Sequence, residues 1–307
     1  MHVSILIVSW NTRDLLARCL ATVSAEARRL GPGLVETCVV DNASSDGSAW
    51  MVREGFPGVR LLDNRVNVGF ARATNQAIRD STGRYLLLLN PDTEVAPGAL
   101  EALVRFMDEH PRAGAAGARL FNPDGTLQPS CHPAPALSRE LWRLFHLDAL
   151  WPYACYPMAT WDLHTPRQVD VVQGACLMVR RSALNDVGLL DEDYFIYSEE
   201  VDLCRRLRRR GWQVYWVPQA AVLHYGGRST RQHARAMFVR LYQGKVLYFR
   251  KHHGRRAAQL YKAILLFAAA ARLFLSPLAW LERPPDRQRH LTLAGHYWRL
   301  IWGLPRL

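Results

Sequence analysis

The sequence predicts an α/β protein whose mixed, mainly parallel sheet is flanked by helices and followed by a helical C-terminal extension. Short apolar runs alternate with amphipathic helical patterns over the first third of the chain, which is typical of parallel strands joined by crossover helices. Polar loops repeatedly follow the apolar runs. From residue 231 onward the pattern is helical.

The first elements follow from local patterns. Residues 3–9 are a continuous apolar run, which predicts a strand buried on both faces. Asn11 and Thr12 offer caps for a helix over residues 13–29. Further strands are expected at 35–40, 59–62 and 85–89, with a helix at 69–80 between the last two. Ligands bind beyond the carboxyl ends of such strands, so the loops at that edge are the first functional clue.

The second half of the chain is less regular. Residues 123–166 are rich in Pro, Trp, Tyr and His and predict loops with one short helix at 137–147. Regular structure is expected again at 169–180, in a helix at 199–210 and in a strand at 212–217. We therefore expect one domain over residues 1–230, divided near residue 120, and a separate helical region over 231–307.

Composition bounds the function classes. The 307 residues carry a formal net charge of +12, which favours anionic partners such as nucleic acid, an anionic membrane surface or phosphate-bearing substrates. Hydrophobic residues make up 49%, which excludes a disordered chain. The six cysteines form no CxxC pair and are expected to be reduced thiols in a reducing compartment. The N-terminus has no secretory signal pattern, so a cytoplasmic location is expected.

Residues 257–281 are mostly apolar and about as long as a membrane span. Lys262 and Arg272 lie inside this segment, however, and cations are costly at the centre of a bilayer. A helix lying in the membrane interface, with Arg255 and Arg256 near lipid phosphates, fits this pattern better. Packing on the domain or on a second subunit, as in a homodimer, is the alternative.

Asp92 is the residue on which the functional interpretation rests most. It follows a buried strand, where a carboxylate needs compensation, and a divalent cation such as Mg²⁺ or Mn²⁺ supplies it. Asn90 adds an amide and Glu94 a second carboxylate close by. An Asp that caps the next helix, before Pro97, is the structural alternative.

Two further patterns are consistent with nucleotide binding. Asp41 and Asn42 stand at an equivalent strand end, where a carboxylate accepts hydrogen bonds from a ribose hydroxyl or a base, although a plain turn has the same composition. Asn67, Gly69 and Arg72 open a helix whose free N–H groups and guanidinium would suit a diphosphate.

Glu199 and Glu200 are consecutive acids in the first turn of a predicted helix. One carboxylate would take a proton from an acceptor hydroxyl, while simple pairing with the helix dipole is the alternative. His224 follows a strand and precedes Gly227 and Arg228. Its imidazole would ligate Mn²⁺ and the basic loop would close over phosphates, although a lone histidine is more often structural.

The ordered set of motifs resembles the family 2 glycosyltransferases of the GT-A fold, a Rossmann-like fold, and within them the bacterial rhamnosyltransferase-like enzymes. The matching segments lie between residue 3 and about residue 230 and are SILIVSWN at 4–11, VVDNASSDG at 39–47, NVGFA at 67–71, LNPD at 89–92, GACLMV at 174–179, EEVDL at 199–203 and HYGGRS at 224–229.

The resemblance implies a role for each matched position. Asp92 and His224 would hold Mg²⁺ or Mn²⁺, with Asn90 in place of the first Asp of the family's DxD motif. Glu200 would be the base, with Glu199 as the alternate because the family's Glu-Asp pair is Glu-Glu here. The donor would contact a larger set, in the nucleotide-binding half before about residue 120 and in the basic loop: Ser9, Asn11, Asp41, Asn42, Asn67, Gly69, Arg72, Asn90, Gly227 and Arg228.

The implied reaction is an inverting transfer of rhamnose or another hexose from a nucleotide-diphosphate donor. The acceptor would be a hydroxyl of a glycan or a polyprenyl-linked saccharide, bound in the half from 121 to 230, in cell-surface polysaccharide synthesis. A peripheral position on the cytoplasmic face of the inner membrane and no nucleic-acid partner would follow. The alternatives are a sugar-nucleotide nucleotidyltransferase, which would need a Gly-rich basic loop that is absent after the first strand, and a non-catalytic basic protein that binds membrane or nucleic acid.

Overall fold

The structure, a computed structural model, describes residues 2–226, 234–276 and 284–303. The chain divides into two compact units. The sheet unit consists of Met1–Ala134, Tyr156–Phe195 and Glu199–Gln232. The helical unit consists of Pro135–Cys155, Ile196–Ser198 and His233–Leu307. The helical unit thus takes in two segments that precede residue 231.

The strands of the sheet unit alternate with helices in its first half. They are β1 (Val3–Ser9), β2 (Val35–Asn42), β3 (Arg60–Asn64), β4 (Tyr85–Leu89), β5 (Thr93–Val95), β6 (Ala113–Phe121), β7 (Leu127–Gln128), β8 (Cys131–His132), β9 (Arg167–Gln168), β10 (Val171–Val172), β11 (Cys176–Arg180) and β12 (Gln213–His224). The helices of this unit are α1 (Arg13–Leu30), α2 (Ser48–Gly55), α3 (Phe70–Arg79), α4 (Ala99–Glu109), α6 (Arg181–Val187) and α7 (Glu199–Arg209). The helices of the helical unit are α5 (Leu137–Leu144), α8 (Ala234–His253), α9 (Arg255–Leu275) and α10 (Pro284–Gly303).

The main sheet has the order β3-β2-β1-β4-β11-β6-β12-β5. The pairs β3–β2, β2–β1, β1–β4 and β6–β12 are parallel, whereas β11 runs antiparallel to both of its neighbours. This mixed, mainly parallel sheet with flanking helices confirms the predicted fold class. The carboxyl ends of β1, β2 and β4 therefore meet at one edge of the sheet.

Burial follows the sequence patterns closely in the first half. All seven residues of β1 and all five of β4 are buried, as their continuous apolar runs predict. One face of α1 is buried in the core through Leu16, Cys19, Leu20 and Val23. β1 and β4 are covered on both faces. Polar side chains that follow these strands are therefore placed at the edge of the sheet, where the strands end.

Besides the short strands β5, β7 and β8, which were not expected, two long strands differ from the sequence expectation. β6 was not expected, because its Ala and Gly residues lack the β-branched pattern of a strand. These small residues are needed for close packing, since a Cβ on Gly117 would lie 2.0 Å from Cγ1 of Val172. β12 continues to His224 instead of ending at 217, with a register shift between Val217 and Ala221. The irregularity lets the strand pass Pro218 and resume its pairing with β6 at Ala221.

A buried charged cluster joins three helices of the helical unit. The Glu140 carboxylate on α5 is 2% exposed and accepts hydrogen bonds from the ammonium of Lys245 (α8) at 3.1 Å and the hydroxyl of Tyr261 (α9) at 3.1 Å. Arg143 also pairs with this carboxylate. Burial raises the pKa of Glu140, but the two cations outweigh it and hold the pKa below its ordinary value. Burial lowers the pKa of Lys245, and the negative charge of Glu140 partly opposes this shift.

The helix α9 contains the segment Arg255–Phe274, which has a mean hydropathy of 1.4 and is long and apolar enough to cross a membrane by length and composition alone. Within the described residues it is the one segment that meets this criterion. Arg272, one of the interior cations noted in the sequence, donates to carbonyl oxygens of Leu144 and Ala268. Its charge is therefore satisfied inside the helical unit.

The buried cluster makes a stability prediction. Glu140→Gln should lower the free energy of unfolding by about 3–5 kcal/mol at neutral pH, because Lys245 is left buried without its carboxylate. The difference from wild type should shrink as the pH falls below about 4.5, since a lowered carboxyl pKa stabilises the fold above that value and loses this effect on protonation. Urea unfolding across pH measures it. Glu109→Gln, at an exposed position on α4, is the control. An equal, pH-independent loss in both variants would contradict the role of the cluster.

Candidate functional site

The centre of the site is a carboxylate–imidazole pair at the edge of the sheet. Asp92 Oδ1 lies 3.3 Å from His224 Nε2, and both side chains are largely buried. The short strand β5 creates this approach, because it turns back after Asp92 and pairs antiparallel with the end of β12, setting Thr93 opposite His224. The N–H of Tyr225 donates to the Asp92 carbonyl at 2.9 Å and closes the pairing.

The orientation of His224 is set by Gln128 on β7. The Gln128 amide nitrogen donates to Asn122 Oδ1 at 2.8 Å and to the His224 carbonyl at 3.4 Å, so its Oε1 faces the imidazole. That oxygen lies 2.6 Å from His224 Nδ1. A carboxamide oxygen only accepts, so Nδ1 carries the hydrogen and Nε2 is the ring nitrogen that faces Asp92. In the neutral tautomer with this hydrogen, Nε2 is the atom that can ligate a metal. The amide of Asn90 is also adjacent, with Nδ2 3.5 Å from Nε2.

This arrangement fits a divalent cation. Two electron-pair donors, a carboxylate oxygen and an imidazole nitrogen, face each other at 3.3 Å with the second ring nitrogen already committed to Gln128. Oxygen and imidazole ligands together suit Mn²⁺. Over the described residues, no group of three or more His, Cys, Asp or Glu side chains gathers around a metal position. The protein would supply Asp92 and His224, and substrate phosphates and water the remaining ligands.

Asp41 and Asn42 end β2 at the same edge. Asp41 is 2% exposed, its Oδ1 accepts the Ser44 N–H at 2.8 Å, and its Oδ2 has no hydrogen-bond partner within the described part of the chain. Burial raises the pKa of Asp41 above its ordinary value, and the Ser44 hydrogen bonds partly oppose this. A buried carboxylate oxygen without a partner is suited to receive a donor from a ligand.

The Asn42 side chain connects two loops of the fold. Its amide donates to Asn67 Oδ1 at 2.9 Å, and its Oδ1 accepts the Val68 N–H at 3.0 Å. Asn67 Oδ1 also accepts the Gly69 N–H at 3.0 Å. Asn42 and Asn67 therefore hold the entry to α3 against the end of β2.

Ser9 and Asn11 shape the loop after β1. The Ser9 hydroxyl is buried and lies 2.9 Å from that of Thr12. Asn11 has a φ of 52°, and its Oδ1 accepts the Ser45 N–H at 2.8 Å. Thr12 is the N-cap of α1 but makes no side-chain cap; Asp46 accepts the Arg13 N–H instead, at 2.8 Å. The loops after β1 and β2 thus hold each other in place.

The start of α3 has protein partners where a diphosphate was expected. The Phe70 N–H donates to the Phe195 carbonyl at 2.6 Å, and a Cβ on Gly69 would lie 2.7 Å from that same oxygen. Arg72 pairs with Glu192 at 3.1 Å. These contacts join α3 to the segment before α7, and phosphate binding by Gly69 and Arg72 stays a prediction.

The two acids that open α7 have different surroundings. Glu199 is 6% exposed, and its Oε2 has no hydrogen-bond partner within the described residues. Burial, and after it the charge of Glu200, raises the pKa of Glu199 well above its ordinary value. Glu200 is partly exposed. Of the two carboxyl groups, that of Glu200 is therefore the one that a bound molecule can reach.

A short stretch of backbone connects the two parts of the site. A Cβ on Gly174 would lie 3.8 Å from Cβ of Glu200, and the carbonyl of the next residue, Ala175, accepts the Asn90 N–H at 3.0 Å. The Glu200 side chain and the loop of Asp92 therefore flank the same two residues before β11.

Other residues near Asp92 complete the edge. The Tyr225 hydroxyl donates to Glu94 Oε1 at 2.7 Å, so Glu94 is held beside β12. The predicted phosphate loop at Gly227 and Arg228 lies outside the described residues. Asp202, in the first turn of α7, forms an ion pair with Arg206 at 2.7 Å.

Sequence patterns did not identify Gln128 or Phe195. Gln128 belongs to a hairpin that follows a Pro-Asp-Gly turn at 123–125, and that turn is the signal that would have placed it opposite Leu120 on β6. Phe195 contributes only its backbone carbonyl, for which sequence carries no signal.

Comparison with known proteins gives a consistent result. Residues 4–188 match the family described as glycosyl transferase family 2. The N-acetylglucosaminyl-diphospho-decaprenol L-rhamnosyltransferase of Mycobacterium tuberculosis is 35% identical over 237 residues, 73% of this chain and 76% of the relative. The rhamnosyltransferase WbbL of Escherichia coli is 24% identical over 236 residues, 75% of this chain and 85% of WbbL. These matches do not favour a nucleotidyltransferase or a non-catalytic basic protein.

The fold is likewise similar to that of a solved glycosyltransferase. A mannosyltransferase of Pyrobaculum calidifontis, in complex with GDP-Man and Mn²⁺, aligns with a TM-score of 0.58 at 18% identity, over 99% of this chain and 86% of that chain. The sheet and its flanking helices are those of the GT-A fold.

The role of Gln128 can be tested through metal affinity. Gln128→Leu should weaken Mn²⁺ binding about 10- to 100-fold, because Nδ1 loses its acceptor and the Nε2 lone pair is no longer held toward Asp92. Electron paramagnetic resonance of free Mn²⁺ during titration measures the change. Gln168→Leu, at an exposed position of β9, is the matched control. Unchanged Mn²⁺ affinity in Gln128→Leu would show that the tautomer does not matter for the metal.

Proposed function

The chain belongs to the family 2 glycosyltransferases, and on this basis we propose that it transfers L-rhamnose from a nucleotide-diphosphate donor to a polyprenyl-diphosphate-linked saccharide. The observation that carries the sugar and acceptor is the 35% identity to the decaprenol-linked L-rhamnosyltransferase over 73% of the chain. The geometry at the sheet edge supports the donor side, since a carboxylate–imidazole pair and a buried carboxylate stand at the ends of neighbouring strands.

The donor half of the site rests on Asp92, His224 and Asp41. Asp92 and His224 would hold the cation, and the unpartnered Oδ2 of Asp41 would accept a hydrogen bond from the nucleoside. When bound, Mg²⁺ or Mn²⁺ supplies positive charge beside the departing diphosphate. Such stabilisation of the leaving group is the largest contribution expected in a displacement that builds negative charge there.

Glu200 is proposed as the general base. Its carboxylate takes the proton of the acceptor hydroxyl as that oxygen attacks the anomeric carbon, which inverts the configuration in a single step. Its partial exposure supports this role, since an acceptor must reach the base. Glu199 is less suited, because burial keeps its carboxyl protonated to a higher pH.

The base assignment leads to a prediction for transfer. We take dTDP-L-rhamnose as the proposed donor, because the family resemblance suggests this nucleotide. Glu200→Gln should reduce kcat for rhamnosyl transfer from it about 100- to 10,000-fold, because the amide cannot accept the proton. The affinity for dTDP should stay within about twofold, since the substituted side chain lies outside the proposed donor ligands. Radiolabel transfer to a polyprenyl-diphosphate-linked acceptor and calorimetry with dTDP and Mn²⁺ measure the two quantities.

Glu199→Gln is the matched control and should keep most of the transfer activity. Loss of transfer in Glu199→Gln with retention in Glu200→Gln would move the base to Glu199. The same assay with UDP-glucose and GDP-mannose tests the sugar. Transfer from either of these donors with dTDP-L-rhamnose inactive would contradict the proposed donor.

We propose in addition that the helical unit binds the cytoplasmic face of the inner membrane, where a polyprenyl-linked acceptor resides. The exposed face of α9 is apolar and carries Leu260, Phe267 and Phe274, which are 53%, 65% and 84% exposed. Their spacing of seven residues places them on one side of the helix. Exposed Arg255 and Arg256 at its start suit lipid phosphates.

Two exposed aromatic residues of α10 add to this surface chemistry. Trp298 and Trp302 are 55% and 68% exposed, and their rings lie 5.8 Å apart. Tryptophan is the residue most enriched where apolar and polar layers of a bilayer meet. Of the two cations inside α9, Arg272 donates to the carbonyl oxygens of Leu144 and Ala268, and Lys262 is partly buried.

The membrane proposal predicts the effect of polar substitutions. The triple variant Leu260→Ser, Phe267→Ser, Phe274→Ser should lower the partition coefficient onto vesicles containing phosphatidylglycerol at least about tenfold, because it removes most of the insertable apolar area. Vesicle flotation measures it. Trp50→Ser, at a 62% exposed position on α2, is the control. Flotation of the triple variant equal to wild type would contradict this surface.

A further inference from the structure

Arg119, near the carboxyl end of β6, carries a partly buried guanidinium. Within the described residues its Nε lies buried without a hydrogen-bond partner, and no carboxylate pairs with the group. Its Cζ lies 4.9 Å from the centre of the Phe121 ring, a contact that holds the side chain but leaves its charge uncompensated. A cation shielded from water without an anion is costly, so this group is suited to a negatively charged ligand.

Two other arginines of the sheet unit that are shielded from solvent have partners in the fold. Arg180 is buried and donates to three backbone carbonyl oxygens. Arg181 is partly buried and donates to the carbonyl oxygens of Ser81 and Gly83. These bonds fix the ends of neighbouring elements and account for both residues. The Nε of Arg119 has no such partner within the described residues, so its presence calls for another explanation.

The geometry of β6 sets the face to which Arg119 points. A Cβ on Gly117 would lie 2.0 Å from Cγ1 of Val172, so this face of β6 packs against β10. Residues two apart on a strand share a face, so Arg119 points to the β10 side as well. Gln128 is paired with the next residue of β6 and therefore lies on the opposite face, where it contacts His224. Arg119 thus points away from the proposed cation site.

Arg119 and the proposed base lie beside the same stretch of backbone. β6 ends at the same edge of the sheet as β4, because β11 runs antiparallel to both strands. The register of β11 with β6, continued by two residues, brings Ala175 beside Arg119. A Cβ on the preceding residue, Gly174, would lie 3.8 Å from Cβ of Glu200. The guanidinium and the carboxylate therefore flank two residues at the edge where ligands bind in such sheets.

We propose that Arg119 binds the diphosphate of the acceptor. The proposal rests on the proposed function, in which the acceptor saccharide is attached to a polyprenyl diphosphate and Glu200 is the base. If the sugar next to the diphosphate carries the reacting hydroxyl, a single sugar ring separates the two groups. A cation and a base beside the same two residues suit that spacing. A guanidinium binds phosphate oxygens through two parallel N–H groups, which would give the Nε of Arg119 the partner that it lacks in the fold.

The test separates the diphosphate from the sugar of the acceptor. Arg119→Met removes the charge and keeps a long apolar side chain beside Phe121. It should raise KM for farnesyl-diphosphate-linked N-acetylglucosamine about 10- to 100-fold, because a charge-assisted bond to phosphate is lost. The inhibition constant of farnesyl diphosphate, as a competitor of the acceptor, should rise by a similar factor. The inhibition constant of octyl N-acetylglucosaminide, which has no phosphate, should stay within about twofold of wild type, as should the affinity for dTDP with Mn²⁺.

Two variants and a stability measurement serve as controls. Arg105→Met makes the same substitution at an exposed position of α4, and its constants should equal those of wild type. Arg119→Lys keeps the charge without the paired N–H groups and should recover part of the affinity for farnesyl diphosphate. The melting temperature of Arg119→Met should equal or exceed that of wild type, because an uncompensated charge is removed. If Arg119→Met does not fold, the same comparison is made with Arg119→Lys, in which the two inhibition constants should differ in the same sense.

The outcomes distinguish a failure of this proposal from a failure of the proposed function. If wild type transfers rhamnose to the diphosphate-linked acceptor and Arg119→Met leaves the constants for both competitors unchanged, or raises both alike, Arg119 does not bind the diphosphate. A lower melting temperature with equal effects on both competitors would assign Arg119 a structural role instead. If wild type transfers no rhamnose to the diphosphate-linked acceptor, the proposed function fails, and the proposal for Arg119 fails with it.

Discussion

The distance between Asp92 and His224 is set by three residues of antiparallel strand. β4 is buried along its whole length, so the chain leaves it at the edge of the sheet, and β5 then turns back to pair with the end of β12. That pairing sets the carboxylate 3.3 Å from the imidazole, and Gln128 binds the other ring nitrogen. In the proposed site, Asp92 and the facing nitrogen would hold the cation together. The proposed donor half of the site depends on this geometry.

The proposed acceptor half depends on a difference in burial between the adjacent acids Glu199 and Glu200. Glu199 points into a buried environment that favours its neutral form, and Glu200 stays partly exposed. In the proposed reaction, the donor half would stabilise the leaving diphosphate and Glu200 would remove the proton of the acceptor hydroxyl.

Local patterns in the sequence were enough to predict the frame of the molecule. β1 and β4 have the predicted bounds because continuous apolar runs admit few alternatives, and Asp41 and Asp92 lie at the predicted strand ends. The sequence did not indicate β6, because the reason for a small residue such as Gly117 is its close packing against Val172, a residue far along the chain. The Gln128–His224 hydrogen bond joins residues 96 positions apart. Gly244 and Ser198 are also distant in the sequence, yet a Cβ on Gly244 would lie 3.1 Å from Ser198 Oγ. The periodicity of a sequence does not indicate such contacts.

The central claim, a cation held by Asp92 and His224, is tested most directly by diffraction. Crystals grown with Mn²⁺ and a nucleoside diphosphate, measured at the manganese absorption edge, should give an anomalous peak about 2–2.5 Å from both the Asp92 carboxylate and His224 Nε2. The nucleotide phosphates should complete the coordination. A peak bound elsewhere, or one bound by Asp92 with the His224 ring turned away, would contradict the account.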